Sequence, residues 1–458
     1  MTSKSKIYEA ARRIFLQTLD AIDVGRVMLD RVRIDSRGGE SRLLFASSNG
    51  ANSEGRSQDS VRLARPPIVI AIGKAAATMS QAMSEILSAT GQPIRSGLVV
   101  VPELPEHRLD SFRYLAGGHP YPTAGSIEGA RAALELVSGL ERDDLVLFLI
   151  SGGGSAIFEQ PLDPAVTLRD LVEFNKLLVT CGLPIEKMNV LRKHVSAVKG
   201  GRLAVRAHPA GQLTLFISDV PEGLDSMVAS GPTFPDPSTA AECYSLANQK
   251  GLAAKLPASI GRRFEERSLQ ETPKPGDARF SGAHYCRLLS NRDAVEAARS
   301  AAQQAGFVAE IYHRDRPGDW DVDFREAARQ QSAALDGLAS RHTGKPVCLV
   351  AGGEVISPVT GRGTGGRNQA FALYGATLIA GRNRAVLSAG TDGRDGNSPA
   401  SGAMADGSTI ERARVLGLDA DRALAESDSY HFFHALGDAL ETGYTGNNVR
   451  DVRVWLAS

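Results

Sequence analysis

Six short apolar runs limit what this chain can fold into more than any other feature. They are Ile68–Ile72, Leu98–Val101, Leu145–Ile150, Leu213–Ile217, Val347–Val350 and Ala385–Ser388. None alternates apolar with polar residues, so each reads as a strand covered on both faces. Helical periodicity fills the intervals at Ala75–Leu87, Ser126–Leu140, Thr167–Cys181, Glu186–Ala204 and Asn291–Gly306. Strand followed by helix, many times over, predicts an α/β fold with a mainly parallel sheet and helices on both faces.

At 458 residues the chain is long enough for two domains. Two stretches interrupt the pattern. Ser47–Arg65 is polar and rich in Gly and Ser, and reads as a loop. From about Pro232 to Pro275 the segments PTFPDPS, KLPAS and ETPKPGD predict the domain boundary. The resulting division is 1–240 and 241–458, with a linker at about 235–280. The start, MTSKSKIYEAARRIF, has no apolar signal-peptide core. It reads as a helix with Ile7, Ala11, Ile14, Phe15 and Ile22 on one face, and a cytoplasmic protein is expected. Cys181, Cys243, Cys286 and Cys348 are too widely spaced for a zinc pattern and read as reduced thiols.

Charge narrows the partners. Lys+Arg and Asp+Glu are 52 each, which argues against nucleic acid or an anionic membrane as the main partner. No apolar run approaches the length of a transmembrane helix. A small anionic substrate held by a few local cations remains compatible, and homo-oligomerisation is left open.

In doubly wound sheets, ligands bind beyond the carboxyl ends of the strands. There, Gly73 and Lys74 close one apolar run and open a helix, a place that favours an anion. Ser151, Gly152, Gly153, Gly154 and Ser155 follow LVLFLI. Three successive glycines are entropically expensive, and make most sense if their N–H groups cradle phosphate or carboxylate oxygens. No Gly-Lys-Ser/Thr follows, so this is not a P-loop. In MNVLRKHVSAVKGGRLA, Asn189, Arg192 and Lys193 lie three and four residues apart and share a helix face, with Lys199 and Arg202 further along. This face carries no carboxylate of its own; an anion contact and a solvated surface are both compatible with it. Asp219 ends LTLFISD, where an aspartate serves as metal ligand, base or helix cap.

The second half repeats the theme. Gly352, Gly353 and Glu354 follow a strand, and a glycine loop from Gly361 to Gly366 leads to Arg367, Asn368 and Gln369. The loop does not directly follow the strand, as a dinucleotide fingerprint requires, so delivery of Arg367 to a phosphate is the better reading. Asp392 and Asp395, flanked by glycines, suit Mg²⁺ coordination or proton abstraction, or simple turns. A nucleophile elbow, a histidine metal cluster and a Cys–His pair are all missing. Glycine loops, cations and strand-end carboxylates fit phosphoryl transfer.

These motifs taken in order carry a resemblance. AIGKAAATM, GGHPYPTAGS, LFLISGGGSA, MNVLRKHVSAVKGGRLA, SDVPEG with ASGPTFPDPST, GGRNQAFAL, GTDGRDG and TGNNVRDVRV resemble the class II glycerate kinases, the glycerate 2-kinases with a MOFRL-type C-terminal domain. The motifs span Gly73 to Arg453. The resemblance implies a larger N-terminal α/β/α Rossmann-like sandwich, a smaller C-terminal α/β domain and an active site in the cleft between them. It implies ATP-dependent phosphorylation of D-glycerate to 2-phosphoglycerate with Mg²⁺. Lys74 and Arg367 fall on the family's catalytic pair, with Asp219 and Asp392 as base or metal ligands. Ser151, Gly152, Gly153, Gly154, Ser155, Asn189, Arg192, Lys193, Glu354 and Asn368 are then substrate or phosphate contacts. Pro399 stands where the family often carries an acidic residue, and Asn447 where it carries threonine. Two other activities compete with this one. An NAD(P)H-dependent hydroxypyruvate reductase would use the same carbon skeleton, but GKAAA replaces the G-x-G-x-x-G turn it needs. A non-catalytic sugar-acid or nucleotide-binding protein would require neither Asp219 nor Asp392.

Overall fold

The computed structural model describes residues 5–36, 40–46, 59–249, 251–312 and 319–458. Most of the loop expected at Ser47–Arg65 lies outside these residues, and its end, Asp59–Arg62, is a strand. The chain forms two compact units, one Val24–Leu288, the other Met1–Asp23 together with Leu289–Ser458.

Helix α1 (Lys6–Ala21) buries Ile7, Ala11, Ile14 and Phe15, the face its periodicity predicts, and belongs to the second unit. Helix α2 (Val24–Arg31) opens the first unit. Strands β1 (Val32–Asp35), β2 (Arg42–Phe45) and β3 (Asp59–Arg62) follow as a small antiparallel sheet. The main sheet of this unit contains β4 (Ile68–Ile72), β5 (Ser96–Val101), β6 (Phe112–Ala116), β7 (Leu145–Ile150), β8 (Gly211–Ile217) and β9 (Ala283–Leu289), in the order β6-β5-β4-β7-β8-β9. Five of them, β4 to β8, are parallel. Every residue of β4 and β7 is buried, which is why neither run alternates. Each fully buried Val, Leu, Ile or Phe there contributes roughly 1.5–3 kcal/mol. Helix α3 (Ala76–Ser88) packs on β4, β5 and β7. Helices α4 (Ala124–Leu136) and α5 (Gly154–Ile157) join the core formed by Ile68, Ile70, Ile72, Val146, Phe148 and Ile150. From β4 the chain moves outward through β5 and β6, then returns to place β7 on the other side of β4. Such a reversal of strand order is the switch point beside which doubly wound sheets bind ligands, here at the carboxyl ends of β4 and β7.

Helices α6 (Leu168–Thr180) and α7 (Ile185–Val195) come next. The single helix expected over Glu186–Ala204 is two. After α7 the chain straightens at Ser196, which bridges to Pro161, and resumes as α8 (Arg202–Ala207). Gly200 and Gly201 sit at φ +58° and +82°, outside helical geometry. The Pro-rich region near residue 240 does not divide the chain in space. Helices α9 (Ala240–Gln249) and α10 (Ala258–Glu265) bury Cys243, Leu246, Ile260 and Phe264 against Phe174, Leu178 and Leu191. The division falls after β9 instead, because β9 extends the first unit's sheet beside β8.

The second unit holds α11 (Asn291–Gln304), β10 (Val308–Ile311), β11 (Asp319–Asp323), α12 (Phe324–Arg341), β12 (Val347–Ile356), α13 (Arg367–Ile379), β13 (Arg384–Gly390), β14 (Gly402–Asp406), α14 (Thr409–Val415), α15 (Ala420–Ala425), α16 (Ser429–Leu436), β15 (Ala439–Leu440) and β16 (Asp451–Ala457). Its sheet is mixed, not mainly parallel. Strand β16 runs antiparallel between β12 and β13, and β14 returns antiparallel beside β13. The β13–β14 connection contains no helix to make a parallel crossover. Helices α12 and α13 bury Phe324, Leu335, Phe371 and Leu373 against Leu349, Val386 and Trp455; α1 and α11 also pack on this sheet.

Gly73 locks the first unit's switch point. Its φ is +116°, and a Cβ there would lie 2.5 Å from both the carbonyl oxygen and Oγ of Ser151. Gly73→Ala is expected to destabilise the protein by about 3 kcal/mol, combining backbone strain with overpacking. A urea melt followed by far-UV dichroism measures it; a loss below about 1 kcal/mol would show that this contact relaxes freely.

Candidate functional site

The first unit gathers its candidates on three neighbouring strands. Lys74 follows β4, the Ser151–Ser155 turn follows β7, and Asp219 follows β8. Backbone pairing continues past the strand ends: Ser151 N donates to Ile72 O at 2.9 Å, and Lys74 N to Gly152 O at 3.0 Å. The Ser151 hydroxyl accepts from Ala75 N at 2.9 Å. Ser151 therefore ties the two turns together. The N–H groups of Gly152, Gly153 and Gly154 donate to no group among the described residues. A Cβ on Gly153 would stand 3.2 Å from Lys74 Cγ and 3.4 Å from His119 Cδ2. The lysine stem and an imidazole thus flank the glycine turn. Lys74 is half-buried and Asp219 is buried.

Behind this turn lies a second loop. The Ser155 and Ser230 hydroxyls are 2.7 Å apart, and Ser230 Oγ donates to Asn189 Oδ1 at 2.8 Å. Ala229 and Ser230 hold positive φ values of 52° and 61°. Non-glycine residues adopt that region at a cost of order 1–3 kcal/mol each, and do so where the surroundings impose it. Asn189 and Ser155 thus brace the turn from below.

The basic helix face is different from its appearance in sequence. Lys193, 5 % exposed, donates to Asp236 Oδ1 at 3.1 Å. Burial opposes the Asp236 charge, but the Lys193 ammonium holds its carboxyl below the usual range. Lys199 is in the break between α7 and α8, fully buried, and pairs with Glu159. Burial pushes the Lys199 ammonium down, against the pull of that carboxylate. Arg192 Nε donates to Asn175 Oδ1 at 3.2 Å. His194 is buried with Nδ1 2.8 Å from Val190 O, and burial pushes its pKa down, so it is a neutral packing histidine. Carboxylates distant in sequence thus neutralise Lys193 and Lys199, and only Arg192 of the three predicted anion contacts keeps a partly exposed cation.

In the second unit the helix-initiating Arg367 is held by two carboxylates. Its Nε and Nη2 donate to Asp451 at 2.6 and 2.9 Å, and Nη1 is 2.6 Å from Glu354 Oε1. Arg450 reaches the other Glu354 oxygen at 2.6 Å. Asp451 is fully buried; burial opposes its charge, yet the Arg367 guanidinium keeps the carboxyl below the usual range. Glu354 is therefore an orienting group for Arg367 in this state. Asp392, half-buried, lies beside them: a Cβ on Gly390 would meet Asp392 Oδ1 at 3.2 Å and Asp451 Oδ1 at 3.6 Å. Asp395 is not a site carboxylate. It caps α13, accepting from Asn368 N at 3.0 Å and Gln369 N at 2.8 Å. Burial pushes it up to about 6, against those two amides. Asn368 is wholly buried, with its side-chain amide against Asp395 and the Ser388 hydroxyl. Asn447, the departure in the tail, donates from Nδ2 to Ile22 O at 2.7 Å and so anchors the end of α1; Pro399 is exposed. Among the described residues no three His, Cys, Asp or Glu side chains converge as metal ligands.

Comparison with known proteins places this geometry. Residues 10–265 match a domain of unknown function, DUF4147, and residues 347–451 match the MOFRL family. A D-glycerate 2-kinase of Thermotoga maritima is 38 % identical over 393 residues, 85 % of this chain and 90 % of that one. The chain belongs to the glycerate kinase family. A glycerate kinase of Bos taurus is 30 % identical over 517 residues, 98 % of this chain and 93 % of the other. A putative hydroxypyruvate reductase of Agrobacterium vitis is 37 % identical over 402 residues, 85 % and 86 % of the two chains. The crystal structure of a Thermotoga maritima glycerate kinase matches with a TM-score of 0.80 at 33 % identity, covering 98 % of this chain and 99 % of that one. The chain thus shares its α/β fold with that glycerate kinase, and no helix among the described residues is long and apolar enough to cross a membrane.

Sequence reasoning did not reach His119, Glu159, Asp236 or Asp451 as parts of these clusters. His119 stands in the quoted GGHPYPTAGS motif, whose unusual Gly-Gly-His-Pro run was the available signal. Asp451 begins an apolar strand, where only the fold brings it under Arg367. Asp451→Asn is expected to destabilise the protein by about 2 kcal/mol, because it leaves a half-buried guanidinium half-compensated. The depressed Asp451 carboxyl also contributes stability that is present above the ordinary aspartate range and lost as pH falls through it. The variant should therefore lose less stability than the parent between pH 6 and about 3, as measured by urea melts across that interval.

Proposed function

We propose that this chain transfers the γ-phosphoryl group of ATP to the 2-hydroxyl of D-glycerate, giving 2-phosphoglycerate. One observation carries the reading: an N–H-rich glycine turn lies on the switch-point edge of the sheet, flanked by Lys74 and, one strand away, by Asp219. Glycerate needs such a place. Its carboxylate takes the Gly152–Gly154 N–H groups and the Lys74 ammonium, and its hydroxyl proton needs a carboxylate base. Asp219 fills that role at the end of β8, with Asp392 the alternative in the second unit. Arg367 meets the phosphates. Asp451 and Glu354 take three of its five N–H donors, which fixes the guanidinium plane and leaves two donors for phosphate oxygen. Phosphoryl transfer asks for this kind of fixed positive geometry more than for covalent chemistry.

The oxygen donors also suit Mg²⁺. Asp219 and Asp392 are the carboxylates that would hold it, each as a single contact, since no larger cluster exists among the described residues. An ion held there would supply neutralisation of phosphate charge. The reductase alternative, which the name of the Agrobacterium relative keeps alive, lacks support in the fold. Strand β4 leads to Gly73-Lys74-Ala75-Ala76-Ala77, one glycine where a dinucleotide turn uses three.

An ADP-release assay with D-glycerate tests the reading, and phosphorus NMR of the product distinguishes the 2-phosphate from the 3-phosphate. Lys74→Ala and Arg367→Lys should each lower kcat by roughly a hundredfold, the scale of removing one aligned charge contact. Near-parental turnover in either variant would remove that residue from the mechanism. Rapid NADH oxidation with hydroxypyruvate, in place of ADP release, would replace the kinase by a reductase.

A further inference from the structure

A cavity of about 460 Å³ opens in the second unit beside Arg367, bounded by Phe324, Val355, Pro358, Ala370 and Leu424 on its apolar side. We infer that it holds the nucleoside of the phosphoryl donor. This inference rests on the kinase reading and gives that reading a place for the base and ribose.

Four observations point the same way. The volume lies within the range of small-ligand sites, and the walls are mainly apolar with a few polar groups, the usual composition of a pocket for a flat heteroaromatic ring. Ser429, 2 % exposed, lines the cavity, and its Oγ has no hydrogen-bond partner among the described residues. A buried hydroxyl left unsatisfied is disfavoured, and a ligand hydroxyl or ring nitrogen would satisfy it. Val359 also lines the cavity and is 84 % exposed, an apolar side chain at the mouth that a bound ring would cover. The same cavity is walled by Gly365, Gly366 and Arg367, so a nucleoside within it directs its 5′ side toward the arginine assigned to the phosphates.

The geometry also determines what meets those phosphates. Asp395 already occupies the Asn368 and Gln369 N–H groups in the first turn of α13, so that helix terminus already holds an anion. Side chains then meet the phosphates, and among the described residues Arg325 and Arg367 are the cations in the cavity wall. Three-carbon glycerate has no apolar surface to match Phe324 and Leu424, which makes the cavity unsuited to the acceptor.

The test is calorimetric titration of ADP into the intact protein and two variants, with KM for ATP and for glycerate measured in parallel. Ser429→Ala deletes only the unpaired hydroxyl, and Val359→Asp alters a side chain too exposed to matter for folding. Each should weaken ADP binding and raise the KM for ATP by roughly five- to tenfold, the worth of one hydrogen bond or one misplaced charge. The KM for glycerate should stay within about twofold. The melting temperature of Ser429→Ala should not fall, because no bond is lost in the free protein, whereas a merely structural hydroxyl would lower it. If both variants bind ADP like a parent protein that still turns over, the cavity assignment fails and the kinase reading stands. If the parent protein neither binds ADP nor releases it from ATP with glycerate, the kinase reading fails and this inference with it.

Discussion

The contact between the ends of β4 and β7 is the constraint on which the first unit's site depends. Gly73 lies so close to Ser151 that no side chain fits between them, and three hydrogen bonds join the two turns. Both strands are apolar throughout and buried on both faces, so they cannot slide or tilt without exposing a core of Ile, Val, Leu and Phe. The glycine turn inherits that rigidity. Its amides are held in place by the sheet before any ligand arrives, which is the property an anion cradle requires.

Charge in this protein is organised by pairing at a distance. Lys193 meets Asp236, Lys199 meets Glu159, and Arg367 meets Asp451 and Glu354. A buried ion is expensive unless compensated, so each such cation has drawn a carboxylate from another part of the chain. This separates structural from available charge. Lys193 and Lys199 stabilise the loop architecture around α7. Arg367 is compensated too, but its guanidinium is larger than its partners need and retains donors after pairing. The same rule explains Asp395, whose position between glycines made it look like a site carboxylate. The start of α13 needs acceptors for its first N–H groups, and Asp395 supplies them.

The two units use glycine for different ends. In the first, glycine brings two strand ends together and bares main-chain N–H groups. In the second, the Gly361–Gly366 stretch clears space: a Cβ on Gly366 would collide with Asp395, and one on Gly361 or Gly363 with Glu426 or Asp428. The result is a thin wall along one side of a cavity, with Arg367 at its end. Similar composition in the sequence thus produced a turn with bare main-chain N–H groups in one place and a pocket edge in the other.

What the sequence by itself determined was the periodic part. Unalternated apolar runs specified buried strands, which pair with one another in parallel in the first unit only. The 3.6-residue pattern specified most of the helices and the buried face of α1, and the residues at strand ends marked the Lys74, Ser151–Ser155 and Asp219 edge. These are local properties, set by which residues lie within a few positions of one another. Only the tertiary structure decided the rest. It placed α1 with the C-terminal half, moved the division of the chain from about residue 240 to Leu288, broke one helix at Gly200 and Gly201, and inserted β16 antiparallel between β12 and β13. It also decided which cations are compensated, since Lys193 and Asp236 are 43 residues apart and Arg367 and Asp451 are 84 apart. Periodicity cannot report such pairs, because a buried charge finds its partner through packing in space and leaves no spacing in the chain.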